Sequence, residues 1–419
     1  MAAADAAKEA EAAGAEPENE KLELPTDPTI AKLTSADQPL GRWDDQEATY
    51  FRVPPLSMLE TGDRVVAFPL TRPQLLIPGT PPLQWTLVGP ARMEFPSDAK
   101  EQPYRFRLIS GRTVWVRHGE APASWEVEAG GRVFRLTMEA PTTKVAIAIH
   151  QAAPTGIDPA QAERQVGVEI LAVDGPLDVT VEGGKPVEVV EGQAYWKIDA
   201  EPPRLAPIEE LPDWIESTSM TQLERGAVEE VVQSLALGRP MLLALHELAD
   251  HSRVEVRSLA VESLISAGEF WPLVDSLGDR KMKAYWSRQL EAVRTAICED
   301  PAYAEKLRRV LQQRRGEEGK ELYRMLWGYT NEQLQEGADR ELVTYLESDS
   351  LDLRVVAFDT LHRITGTTFL YRPDRSPKTQ RVPIRKWRHA ASEGKIRHSR
   401  PPRPAWIEGL EGQTVTPGE

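Results

Sequence analysis

The stretch Glu201-Pro-Pro-Arg-Leu-Ala-Pro-Ile-Glu-Glu-Leu-Pro212 divides the chain into two regions of different hydrophobic period. Prolines at this density interrupt both helices and central strands, so 201–212 reads as a linker. On its N-terminal side apolar residues alternate with polar ones, the period of a strand with one face buried. Val145, Ile147 and Ile149 alternate with two alanines; Val166, Val168 and Ile170 with Gly167 and Glu169; Leu177, Val179 and Val181 with Asp178 and Thr180. Further back, Tyr104, Phe106 and Leu108 alternate with Arg105 and Arg107, Gly111-Arg112 is expected to turn the chain into Val114-Trp115-Val116, and Gly130-Gly131 separates Trp125-Glu126-Val127 from Val133-Phe134-Arg135-Leu136. Short runs at this spacing predict an all-β sandwich, barrel or solenoid over 40–200.

On the C-terminal side the apolar spacing changes to the helical period. Helices are expected over 222–237, 241–249, 254–266, 284–298, 303–313, 320–327 and 351–364, within an α-helical array spanning 213–370. The fold class is therefore multidomain α+β, a β domain followed by an all-α domain. Residues 1–39, rich in Ala, Glu and Pro, bury too little apolar surface to offset ordering entropy and read as a disordered acidic linker, with a transient helix over 2–15 as the alternative. A basic extension or cap (371–403) and a flexible tail (404–419) close the chain.

The composition is that of a soluble globular protein: 419 residues, 41% hydrophobic and 27% charged, with a net charge of -15. That charge argues against the bulk of the molecule wrapping a polyanion, because a nucleic-acid footprint normally shows as a basic domain. A single cysteine, Cys298, excludes an internal disulfide framework and an all-cysteine metal site. No run reaches the roughly 18 apolar residues of a membrane helix, and the first residues lack the apolar core of a signal peptide.

Two segments within the array resemble each other. His251-Ser-Arg-Val-Glu-Val-Arg257-Ser-Leu-Ala260-Val-Glu-Ser-Leu264 and Ser348-Asp-Ser-Leu-Asp-Leu-Arg354-Val-Val-Ala357-Phe-Asp-Thr-Leu361 both follow a polar turn with an Arg, an Ala three residues on and a Leu four further. The pattern resembles the second helix of a HEAT repeat, packed closely through the Ala with its Arg at the rim, and implies an irregular stack of about three or four helix pairs. The β region resembles the FecR domain at Leu59-Glu-Thr-Gly62-Asp63-Arg-Val-Val66, Leu87-Val-Gly89-Pro-Ala91, Val173-Asp-Gly175-Pro-Leu-Asp-Val179 and Val189-Val-Glu-Gly192-Gln193. The whole arrangement is similar to FecR-like and HEAT-like envelope proteins of planctomycete type, including the closing stretches Leu361-His-Arg-Ile-Thr365-Gly366, Tyr371-Arg-Pro373-Asp374 and Lys386-Trp387-Arg388. The resemblance implies a bacterial location on the periplasmic side of the cytoplasmic membrane, beyond an anchor that this sequence does not contain. Without that anchor or a signal peptide, a cytoplasmic location is the alternative.

Catalytic motifs fail on geometry. His246-Glu-Leu-Ala-Asp250-His251 sets its histidines five residues apart, about 140° around a helix, where zinc proteases need about 40°. Cys298 lies in an apolar helical run with no evident base, so a structural role is expected. Glu182-Gly-Gly-Lys-Pro186 lacks the spaced glycines and following Ser or Thr of a phosphate loop and reads as a hairpin turn. No enzymatic activity, cofactor or metal site is expected.

The strongest local signal is basic. Residues 371–403 carry eleven Lys or Arg against Asp374 and Glu393. Arg372, Arg375, Lys378, Arg381, Arg385, Lys386 and Arg388 are the candidate contacts for an anionic partner such as a cell-wall polymer or anionic surface; the alternative is a solvated cap whose Trp387 packs on the last repeat. Nucleic acid is disfavoured, since Trp387 is the sole aromatic after Tyr371 in that run. Trp43, Trp85, Trp115, Trp125 and Trp196 suggest either core packing or an aromatic carbohydrate-binding face. The expected function is a non-catalytic binding or scaffold protein of the cell envelope, with protein partners on the helical array. A carbohydrate- or cell-wall-binding module and a regulator of transmembrane signalling are the alternatives.

Overall fold

The computed structural model describes residues 29–78, 82–96, 105–216, 220–408 and 410, and the alternation of the N-terminal region becomes one branched sheet. Its first strands are β1 (Thr29–Leu33), β2 (Leu40–Asp44), β3 (Thr49–Arg52), β4 (Met58–Glu60), β5 (Arg64–Ala67), β6 (Gln74–Ile77), β7 (Leu83–Glu94) and β8 (Arg105–His118). There follow β9 (Ala123–Ala129), β10 (Arg132–Met138), β11 (Thr142–Ala152), β12 (Gln165–Asp174), β13 (Leu177–Val181), β14 (Val187–Val189), β15 (Gln193–Ile198) and β16 (Arg204–Pro207).

Three expectations change here. Thr29–Leu33, inside the stretch read as a linker, pairs with β4 and β6, because Ile30, Ala31 and Leu33 have a core to enter. Residues 1–28 of that expected linker lie outside the described residues. The proline-rich 201–212 segment contributes the edge strand β16 on β15, an edge being where proline's missing donor is tolerated. Gly111-Arg112 is no turn: β8 runs straight through it, with Gly111 at φ +91 where the strand crosses Pro90 and Ala91 of β7 at close range. Tyr104 lies outside the described residues.

β8 is the pivot of the sheet. Its first half lies parallel to β9, its second half antiparallel to β11, and β7 runs along its other edge. From there the order is β11-β12-β15-β16 on one arm and β9-β10-β13-β14 on the other. The arms fold face to face, so that Phe134 of β10 meets Tyr195 of β15 edge-on at 6.5 Å. Between the layers lies a core of alternate residues, centred on Trp85, Trp115, Phe95 and Phe106, with Trp85–Phe106 at 4.5 Å and Trp85–Trp115 at 5.2 Å. Gly130-Gly131 forms the β9–β10 turn, and Glu182-Gly-Gly the connection of antiparallel β13 and β14.

The helices are α1 (Gln222–Ser234), α2 (Met241–Leu248), α3 (Val254–Ser266), α4 (Trp271–Leu277), α5 (Trp286–Glu299), α6 (Pro301–Arg315), α7 (Glu317–Leu326), α8 (Asn331–Gln333), α9 (Asp339–Tyr345), α10 (Leu351–Thr365), α11 (Arg381–Ser392) and α12 (Ala405–Glu408). Local signals set several ends: Thr221 and Glu224 form a capping box on α1, Asp300 caps α6 ahead of Pro301, and Gly366 ends α10 in the left-handed region. The two mutually similar segments are α3 and α10, the inner helices of the array. Ala260, Leu264, Ala357 and Leu361 are all inaccessible to solvent. Their arginines differ from expectation at one site. Arg257 is half-buried and bonds Ala249 O and Asp279, whereas Arg354 is 2% exposed and holds the carbonyls of Ser348, Asp349 and Pro373. That guanidinium ties down the turn before its own helix.

The two halves share packing. Val66 of β5 and Phe68, just beyond its end, belong to the helical core rather than to the sheet core. Among the described residues no helix is long and apolar enough to cross a membrane.

Candidate binding site between the sheet and the array

The array is fixed to the sheet by polar anchors whose donors come mostly from arginines. Arg92 of β7 donates to Tyr303 Oη (3.1 Å) and Ser110 Oγ (3.2 Å), and lies 3.5 Å from Glu299 and 3.8 Å from Asp300 at the α5–α6 junction. Burial pushes the Tyr303 hydroxyl up to about 12 and raises the Glu299 carboxyl, Arg92 opposing both shifts. Arg52 of β3 donates 3.0 Å bonds to Val232 O and Leu235 O, within and just beyond the end of α1. The β11–β12 loop reaches across as well: Tyr323 donates to Asp158 at 2.6 Å, and Gln333 Nε2 to Gly156 O at 3.0 Å.

Between these anchors a cleft of about 1650 Å³ remains. Its floor is the outer face of the sheet, its wall is the end of α3 with α5 and α10, and its rim is the 398–406 segment. That segment follows α11 back to the sheet. His398 exchanges bonds with Asn331 (2.9 and 3.2 Å), and Trp406 then stacks parallel to Trp196 at 6.1 Å and near His150 at 5.5 Å. Gly167 makes room for it: a Cβ there would sit 2.5 Å from the indole of Trp406. The expected flexible tail at 404–419 thus includes an ordered stretch holding an aromatic plug, while 409 and 411–419 lie outside the described residues.

Strand register explains the floor. Arg112, Ala148, Glu169 and Trp196 stand opposite one another on β8, β11, β12 and β15, and therefore share a face. His150, on the same face of β11, bonds Glu169 at 3.0 Å. Arg112 lies over the ring of Trp214 at 5.4 Å. On the helical wall, Arg288 is held by Glu262 (2.7 Å) and Glu224 (3.0 Å), and Arg363 by Glu291. Cys298 also lines the cleft; burial, reinforced by Glu299 and Glu291, pushes its thiol up, the opposite of what a thiolate nucleophile needs. Among the described residues no group of three or more His, Cys, Asp or Glu side chains is placed to hold a metal.

The basic residues singled out from sequence are brought together elsewhere, on the far end of the array. Arg372, Arg375, Lys378, Arg381, Arg385, Lys386 and Arg388 are all exposed; Arg388 pairs with Glu347, and Arg372 lies 3.6 Å from Asp374. α11 is amphipathic. Ile384, Trp387, Ala390 and Ala391 are buried, with Trp387 fully inaccessible and edge-on to Phe369 at 4.7 Å. Packing and charge thus occupy opposite sides of one helix.

The five tryptophans singled out from sequence do not share one exposed face. Trp85, Trp115 and Trp125 are in the sheet core, Trp196 is covered by Trp406, and half-buried Trp43 meets Tyr50 edge-on under Arg64. Sequence reading missed Arg112, His150, Glu169 and Trp406. The first three carry a signal, being polar positions of otherwise apolar strands, but alternation normally assigns such positions to solvent. No protein-family model, curated protein or solved structure matches this chain.

Proposed function

We propose that this chain is a non-catalytic binding and scaffold protein of the bacterial cell envelope, with a FecR-like β half that binds a partner, a HEAT-like array that presents a protein-binding surface, and a basic cap for an anionic partner. The observation that carries the reading is α11. Its buried side is satisfied by the array, so Arg381, Arg385 and Lys386 are left facing solvent with no carboxylate within ion-pair distance among the described residues. In a chain of net charge -15, a cationic cluster at one end orients the molecule toward a negatively charged surface or polymer. The raised thiol of Cys298 and the closed His150–Glu169 pair fit binding better than nucleophilic chemistry.

The test is retention of the full chain on an immobilised anionic polysaccharide across a salt gradient. The wild type is expected to bind and to elute with rising salt, and the triple variant R381E/R385E/K386E to pass through at low salt while melting at the same temperature. Equal retention of the two proteins would remove the cap from the proposal. The periplasmic assignment is tested separately, by protease accessibility of the native protein in spheroplasts.

A further inference from the structure

We infer that the sheet floor of the cleft is a binding site for a small oxyanion-bearing molecule, whose carboxylate or phosphate group is taken by the guanidinium of Arg112. Thirteen residues of the β half supply the comparison. Arg42, Arg64, Arg92, Arg105, Arg107, Arg132, Arg135 and Arg204 each meet a carboxylate, and Arg52, Arg72, Arg117 and Arg164 each donate to backbone carbonyls. Arg112 does neither among the described residues. Its one ring contact among the described residues is the face of Trp214, itself anchored by Arg72 through Trp214 O at 2.6 Å, and Glu169 acts on it only through space.

That contact leaves the chemistry of the group intact. An aromatic ring against the face of a guanidinium leaves its five N–H donors in plane and available, in the fork that matches a carboxylate or a phosphate. The flanking positions on both neighbouring strands, Val88 and Ala148, carry short side chains, and Arg112 and Val88 both line the cleft. Glu169, two strands away in the same row beyond Ala148, acts on Arg112 through space but is bonded by His150 at 3.0 Å.

Arg112 is open to water within the cleft, yet the walls around it are close enough that burial lowers its pKa. The two facts describe one geometry, a charge reached by solvent but surrounded by protein. Glu169 offsets part of the cost of that burial through space but makes no ion pair with Arg112, and a charge so placed marks positions where a ligand supplies the closer partner. The cleft, at about 1650 Å³, has room for the body of a small molecule beside the fork, with the Trp196–Trp406 stack on the same floor.

The experiment titrates inorganic phosphate and citrate into the R381E/R385E/K386E protein, so that the basic cap does not contribute, in a zwitterionic buffer. Binding is followed by calorimetry and by thermal melting. Saturable stabilisation by either probe is expected; a response to phosphate alone assigns a phosphate-bearing ligand, and to citrate alone a carboxylate-bearing one. Adding Arg112→Met should weaken that binding about 10- to 100-fold, the worth of a charge-assisted hydrogen-bonded contact, and Arg112→Lys should recover part of it. Without probe, R112M should melt only slightly below its parent, because the folded protein loses the ring contact with Trp214 but no ion pair. Unchanged binding in R112M, no saturable response to either probe, or an R112M protein that melts well below its parent would each overturn the inference.

Discussion

The two faces of the sheet are made from alternate residues of the same strands, and they have opposite characters. One face closes on itself: Trp85, Trp115, Phe106, Phe134 and Tyr195 interdigitate between the arms with almost no exposure. The other is divided. Beside β9 it is a ladder of paired charges, with Arg105 and Arg135 both on Glu126 and Arg107 on Glu94 and Glu128. Beside β11 it is partly covered by Trp214, Ile215 and Trp406 and partly left as the cleft. Alternation determines which residues share a face; what covers that face is decided by chain segments far away in sequence.

The contrast between the faces requires the inner one to be the main source of stability. Trp115→Ala should cost about 3–5 kcal/mol in chemical denaturation, since it empties the centre of an aromatic cluster. A cost below about 1 kcal/mol would mean that the arms are held together by something other than this core.

The junction comes next. Arg92→Ala strips its cation from the Glu299–Asp300 pair and should cost about 2–3 kcal/mol. Because Val66 and Phe68 sit in the helical core, the wild type should unfold in one transition by both fluorescence and far-ultraviolet dichroism. Two separated transitions in the wild type would make the halves independent and the shared packing incidental.

Much of this layout is legible in the residues, and the illegible part has a physical pattern. The change of period around 201–212 marks the passage from strands to helices, and α3, with its apolar residues on all sides, is readable because a helix buried all round needs no partner-dependent face. α4 and α9, seven residues each, are too short for periodicity to show. β1 is hidden because five residues among acidic and proline-rich neighbours look like linker until β4 and β6 are beside them. The basic cap is legible as charge, which needs no fold to be seen. The cleft floor is not, since Arg112, His150, Glu169 and Trp406 become neighbours only through strand register and the return of the C-terminal segment.

The charged ladder offers a pH-dependent test. Burial alone would raise the Glu126 carboxyl, but the guanidinium bonds from Arg135 and Arg105 more than reverse this and hold it below the ordinary carboxylate range. The ionised form is therefore favoured more in the folded chain than in the unfolded one. Its stabilisation is full above the unfolded carboxylate pKa and is lost as pH falls through the depressed folded value. Glu126→Gln should cost about 1–2 kcal/mol at neutral pH and nothing once the wild-type carboxyl is protonated, flattening the acid limb of the stability profile. A constant cost at every pH would assign the loss to packing instead.

The smallest effect on stability falls on the divided face, where it says most about the cleft. Trp406 adds its ring to a stack that Trp196 and His150 already make at 5.2 Å, and Gly167 beneath it supplies the space. Trp406→Ala should therefore lower stability by no more than about 1 kcal/mol, an aromatic contact beyond area burial. It should nevertheless speed amide exchange along β12 and β15, whose outer face the indole shields. Gly167→Val should do the same by a different route, forcing the indole out while leaving residue 406 unchanged. If both variants expose these strands and leave the melting temperature nearly unchanged, the rim is a cover laid over a finished sheet; if either unfolds the protein, the segment belongs to the core, and the outer face is as closed as the inner one.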